Sequence, residues 1–167
     1  FARAADAGAE HVVAVLISGK LSGTADGARQ AAQASSVPVT VIDTCSLAMG
    51  TGFAALAAAA TATAGGSPEA VAQAAQSVAA SARCIFTVDT LEYLQRGGRV
   101  SPAIAAVGKM LGVRPVLELR DGEVVMAERV RGTQRARASV MRLADEAAAG
   151  LTRPAAAVMV LGEGEFG

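Results

Sequence analysis

Residues 12–17 form an unbroken apolar run of strand length, and a second strand pattern follows at 37–42 after a Ser/Gly-rich turn and a helical stretch from about 22 to 34. A strand without polar alternation suits a parallel sheet covered on both faces. A strand–helix–strand unit crosses over right-handedly almost without exception, which makes its two strands parallel. The start of this chain therefore commits it to an α/β architecture.

The rest of the sequence is readable in the same terms. Residues 46–64 read as one long helix, broken by Gly65-Gly66. Ser67-Pro68-Glu69 opens another helix that runs to about residue 82, with Ser as N-cap and Pro at the first helical position. A short strand at 84–88 leads to two short helices, about 90–96 and 102–111. Residues 114–119 and 123–130 flank Asp121-Gly122, the strongest local hairpin signal in the chain. Pro115 places the first of those strands near an edge or at its beginning. Thr133 is read as the cap of a helix reaching about 149, and 155–161 as a further strand. The expected organisation is a parallel α/β part over 1–83 and an α+β part with a hairpin over 84–167. Helical and strand-like patterns running into both termini read as the middle of a longer protein.

Composition limits what such a fold can do. Apolar residues make up 52 % of the chain but aromatic ones only 3 %, and alanine carries much of the apolar content. Alanine-rich helices pack closely and bury little area each, so Val, Leu, Ile and Met must build the core. A formal net charge of zero argues against a generally basic nucleic-acid binder and against an acidic disordered tail. The nearest apolar stretch, residues 53–64, is 12 residues long, whereas a membrane span takes about 20, so stable membrane insertion is not expected. Cys45 and Cys84 fit no metal or redox spacing and read as two buried thiols of a reduced, cytoplasmic protein. Charge is uneven: residues 96–142 hold ten Lys/Arg against four acids. That stretch is either a solvated face with scattered ion pairs or an anion-facing surface.

Ligands of open parallel sheets bind beyond the carboxyl ends of the strands. Here that edge carries Ser18, Gly19, Ser22, Gly23 and Thr24 after the first strand and Asp43 to Ser46 after the second. The first segment supplies hydroxyls, backbone N–H groups and the start of a helix, a combination that suits a carboxylate or phosphate. It reads equally as a capped turn without a ligand. Further on, Met49-Gly50-Thr51-Gly52-Phe53-Ala54 sets two glycines inside a helix, each costing about 1 kcal/mol relative to alanine. Close helix packing or room for a slender apolar ligand would both explain them. His11 lies at the opposite end of the first strand and is read as structural. No nucleophile–base pair, dinucleotide fingerprint, P-loop or metal cluster can be assembled. Neither an enzyme acting alone nor a cofactor is expected.

The run Leu91-Glu-Tyr-Leu-Gln-Arg-Gly-Gly-Arg-Val-Ser-Pro102 holds Arg99 between a glycine helix stop and a Ser-Pro helix start. Together with Ile17-Ser-Gly-Lys-Leu-Ser-Gly-Thr24, Ile42-Asp-Thr-Cys-Ser46 and the later Asp121-Gly122 and Arg131, it resembles the DegV family of bacterial fatty-acid-binding proteins. The resemblance extends from Phe1 to about Ala149. It implies a two-domain fold with one long-chain fatty acid between the domains. It also implies that the carboxyl group is held by an early threonine and a serine of the Leu-Ser-Gly-Thr turn, and is presented to a separate ATP-binding fatty acid kinase subunit. Arg99 and Arg131 match family arginines near the carboxyl end or on the kinase-facing surface. Met49, Gly50, Phe53 and Ala54 are expected to line the acyl tunnel. The pattern differs in three places: Gly19 stands where the family often has a second serine, the early threonine would precede Phe1, and 160–166 carries no histidine. Two other functions stay open, an enzyme or sensor for a small phosphorylated metabolite, and a lipid-binding scaffold without a kinase role.

Overall fold

The computed structural model describes residues 1–107, 112–152 and 154–157. After a short helix α1 (Ala2–Asp6), strand β1 (Val12–Leu16), helix α2 (Thr24–Gln33) and strand β2 (Val39–Asp43) form the expected crossover unit. The two strands are parallel, in a register running from Val12↔Val39 to Leu16↔Asp43. Helices α3 (Ala48–Thr63) and α4 (Pro68–Ser81) pack on each other and against this sheet. Their shared core holds Ile42, Ala54, Ala58, Val71, Ala72 and Ala75, with Val13 and Val15 packed against it. Small residues at helical spacing bring the two helix backbones close. Ser67 Oγ accepts the Ala70 N–H at 3.3 Å with Pro68 in the first turn, so α4 starts where its sequence signal places it.

The second half is an antiparallel sheet in the order β3 (Ile85–Thr87), β4 (Val113–Arg120), β5 (Glu123–Arg131). Arg120 pairs with Glu123, leaving Asp121 (φ 51°) and Gly122 (φ 83°) as a two-residue turn. Positive φ at both positions matches the strand twist and explains the Asp-Gly pair. A bulge between Val116 and Leu117 leaves Ala127 without a partner. β4 is the central strand, so of the two readings of Pro115 the edge one fails and the one near the strand's beginning holds. The proline is tolerated because it is the third residue of β4, just beyond Val116, where pairing with β3 stops. Leu117 and Leu119 face a second core with Leu91, Val100 and Ala105, to which Leu21 and Leu47 of the first half contribute.

Helix α5 (Glu92–Arg96) ends in a Schellman motif. Gly98 has φ 72°, its N–H donates to Gln95 O at 2.9 Å, and the Arg99 N–H donates to Leu94 O at 2.8 Å. Ser101 then caps α6 (Pro102–Val107) by accepting the Ile104 N–H at 3.3 Å. The expected continuation of α6 over 108–111 lies outside the described residues. Helix α7 (Thr133–Ala148) covers the sheet, burying Ala136 and Ser139. Its N-cap is Gly132 (φ 84°), with Thr133 already in the first turn, because Gly132 N–H donates to Gly112 O at 3.1 Å and turns the chain there. Residues 155–157 have no regular structure, and the rest of the strand read at 155–161 lies outside the described residues.

Candidate functional site

The carboxyl ends of β1 and β2 converge, and Asp43 organises the backbone there. Its Oδ2 accepts the Gly19 N–H at 3.0 Å and its Oδ1 accepts the Cys45 N–H at 2.8 Å. Thr44 ties the strand ends by donating to Leu16 O at 2.8 Å, and the Ser18 N–H donates to Ser46 O at 2.8 Å. A β-carbon at Gly19 would lie 2.7 Å from Asp43 Oδ2, so this position must lack a side chain for the carboxylate to close over it. The Gly19 N–H is therefore already committed to an internal anion.

The turn continues as one tight coil, with the Leu21 and Ser22 N–H groups both donating to Ser18 O at 3.1 Å. Ser22 Oγ and Thr24 Oγ1 lie 2.7 Å apart, and the Thr24 N–H reaches Ser22 Oγ at 3.3 Å. No side chain caps α2, whose N-cap is Gly23. The half-buried Ser22 and exposed Thr24 hydroxyls, which bond to each other, and the N–H groups that open α2 are thus the donors of the turn. Ala25 is fully buried, and the Thr24 N–H is already on Ser22 Oγ. Asp26 in the first turn of α2 opposes an anion there, but it is paired with Arg29 at 2.7 Å.

The second half closes over this turn at two points. Ser18, fully buried, donates through Oγ to Gly122 O at 2.7 Å. Arg99 Nε donates to Leu21 O at 2.9 Å, and its Nη1 reaches Gly97 O. A guanidinium has five donors, and two are used here. Arg99 is thereby brought beside the turn, whereas Arg131 is not. It ends β5, eight residues from the hairpin tip, a distance of about 27 Å at the usual strand rise.

Met49 and Phe53 are half-buried at the start of α3, while Gly50 and Ala54 are buried. A β-carbon on Gly50 would run into Ser46 Oγ and meet Ala82 Cβ at 3.8 Å, and Ala54 belongs to the first core. A separate groove of about 410 Å³ lies along Val13 and Val15, walled by Ala58, Ala62 and Val71, with His11 at its end. None of Met49, Gly50, Phe53 or Ala54 lines it. His11 Nε2 is 2.9 Å from Thr40 Oγ1 across the strand starts.

Cys45 is exposed, not buried as its sequence context suggested, since it sits at φ 48° in the turn after Asp43. Desolvation and the neighbouring Asp43 carboxylate push its thiol pKa up, the wrong direction for an activated nucleophile. Cys84 is half-buried, and burial with the nearby Glu118 raises its thiol pKa as well. Among the described residues no cluster of His, Cys, Asp or Glu is arranged to hold a metal ion. No helix among them is long and apolar enough to cross a membrane. Sequence reading placed Asp43 at this edge but not its grip on the Gly19 and Cys45 N–H groups, and it missed Gly122 as part of the site. Asp43 carried a local signal, an acid at a strand's carboxyl end, while Gly122 was legible only as a turn residue.

A family model described as "Uncharacterised protein, DegV family" matches residues 1–166. A DegV domain-containing protein of Streptomyces coelicolor is 44 % identical over 150 residues, covering 90 % of this chain and 53 % of that protein. The chain thus spans about half the length of the curated relatives it matches. A solved structure described as showing fatty acid binding by a DegV family protein from Thermus thermophilus superposes with a TM-score of 0.78 at 40 % identity. It covers 89 % of this chain and 53 % of that one. A stearic-acid-binding protein from Eubacterium ventriosum superposes with a TM-score of 0.75 at 27 % identity, covering 88 % and 52 %.

Proposed function

Because the chain belongs to the DegV family, we propose that it forms part of a cytoplasmic, cofactor-free carrier that binds one long-chain fatty acid between its two units. In this reading the carrier presents the acid's carboxyl group to a separate ATP-binding kinase subunit, which makes the acyl phosphate. The observation that carries the reading is the hydroxyl pair of Ser22 and Thr24 at the uncapped start of α2, with Arg99 delivered to the adjoining Leu21 carbonyl from the other half. A carboxylate held there stays near the surface, where a partner enzyme can reach it. Solved relatives described as fatty-acid-binding support the ligand class.

The acyl chain is assigned to the start of α3, at Met49, Gly50, Phe53 and Ala54. Met49 and Phe53 are the positions that can yield to a ligand, since Gly50 and Ala54 are closed into helix packing. Each buried CH₂ contributes about 0.8 kcal/mol, so the space beside those two side chains sets chain-length preference. Arg99 is bonded to the turn and acts at the carboxyl end. Arg131, far along β5, is assigned to the kinase-facing surface.

Native mass spectrometry of the full-length protein tests the ligand. Retention of a mass of long-chain acid size supports the carrier. A retained phosphorylated metabolite would instead favour the enzyme or sensor reading, to which the basic second half lends its support. Acyl-phosphate formation with the partner kinase separates the carrier from a lipid-binding scaffold.

A further inference from the structure

We propose that Ser18 is a positioning residue and not a ligand of the fatty acid. Its buried hydroxyl clasps the tip of the β4–β5 hairpin onto the anion turn, and the carboxylate is left to Ser22, Thr24 and the first N–H groups of α2. The inference rests on the fatty-acid reading above and assigns the donors within it. A serine has one proton to give. Ser18 gives it to Gly122 O at 2.7 Å, accepts the Lys20 N–H at 3.2 Å, and has no exposed surface. A carboxylate can only accept. To take the Ser18 proton it must evict the Gly122 carbonyl and leave that acceptor without its partner.

The hairpin tip is shaped for this seat. A β-carbon on Gly122 would lie 2.7 Å from Ser18 Oγ and 3.5 Å from Cys45 Cβ, and its φ of 83° also calls for glycine. Lys20 faces Glu123 across the tip at 3.5 Å, and Leu21 O accepts from Arg99 at 2.9 Å. Residues 18, 20 and 21 thus all reach the second half, while the hydroxyls of Ser22 and Thr24 bond to each other. The turn divides its labour: the first residues hold the two halves in register, and the last ones, whose hydroxyl pair uses one of its two protons internally, keep the other for a ligand next to the Leu21 carbonyl that Arg99 holds.

The experiment uses the full-length protein, octadecanoic acid and octadecanol, which share a tail but differ in the carboxylate. The ratio of their affinities reads the carboxylate contact, and amide exchange at 121–123 reads the clasp. Ser18→Ala is expected to speed exchange at the tip about tenfold and to leave the acid-to-alcohol ratio within about twofold of wild type. Gly122→Ala, which presses on the same seat from the other side, is expected to do the same. The Ser22→Ala/Thr24→Ala double variant is expected to lower the ratio about tenfold or more with tip exchange unchanged. Collapse of the ratio in Ser18→Ala alone overturns the proposal, because Ser18 is then a ligand. Unchanged tip exchange in Ser18→Ala overturns it as well, because the clasp then holds nothing. Should wild type itself not prefer the acid, the carboxylate reading fails, while tip exchange still decides the clasp.

Discussion

Replacing Gly19 by serine restores the second serine that the family often carries in this turn, yet the structure predicts that this chain will not accept it quietly. The backbone is not the obstacle, since Gly19 is outside the positive-φ region. The obstacle is Asp43, whose Oδ2 would sit 2.7 Å from the new β-carbon while accepting the Gly19 N–H at 3.0 Å. Relief requires the carboxylate to swing away, which gives up a charged hydrogen bond of about 1.5–3 kcal/mol and disturbs the partner bond to Cys45. Gly19→Ser and Gly19→Ala should therefore each destabilise the protein by about 2 kcal/mol. Urea unfolding of the full-length protein measures this, and a double-mutant cycle with Asp43→Ala identifies the cause. With the carboxylate gone the added β-carbon meets only ordinary contacts, Ala25 Cβ being 3.9 Å away. The second substitution should then cost less than about 0.5 kcal/mol. Additive effects, or a Gly19→Ala variant as stable as wild type, would refute the reasoning.

Gly50→Ala should lower stability by about 1–3 kcal/mol, read by the same urea titration, because the new methyl displaces the Ser46 side chain at the start of α3. Phe53→Ala should shift preference toward longer acids in a displacement assay over a chain-length series. An equal change at every length would return α3 to a packing role. Arg131→Ala should leave lipid affinity unchanged and reduce acyl-phosphate formation with the kinase, whereas Arg99→Ala should affect both through its bond to Leu21 O. Glu128 accepts from Ser139 and from Arg142, which hold its carboxyl below the usual carboxylate range. A group with a lowered folded pKa stabilises above its unfolded value of about 4.3 and loses that contribution as pH falls through the folded value. Acid unfolding of Glu128→Gln should accordingly be less steep than that of wild type below about pH 4.3.

Local chemistry made most of the fold legible. The crossover unit follows from two apolar runs around a helix, the α4 start from Ser67-Pro68, and the hairpin from Asp121-Gly122. Each signal acts over a few residues, so single-sequence reasoning reaches it. The misreadings have two origins, one long-range and one local. Pro115 sits in a central strand because β3 is short, a fact carried by residues 85–87 and not by the proline. Cys45 is exposed because Asp43 bends the chain after β2. At the site, the Ser/Gly turn was legible as an anion-binding candidate, but not its commitment to Asp43 and Gly122. A serine's residue type says that it can donate one proton. Where that proton goes depends on a residue 104 positions away.

That separation also sets the order in which the molecule can be assembled. A hairpin closed by a two-residue turn forms in about 1–10 µs from neighbouring residues alone. The Ser18–Gly122 bond closes a loop of 104 residues, and nothing local compensates the chain entropy of that closure until both cores are in place. Each sheet can thus begin to condense around its nearer alanine, valine and leucine contacts before Leu21 and Leu47 join the two halves. The donors at Ser22 and Thr24 are local to the first half, whereas Arg99 reaches Leu21 O only after the last of these steps. Native secondary structure can thus be in place throughout before the hairpin tip and Arg99 reach the turn.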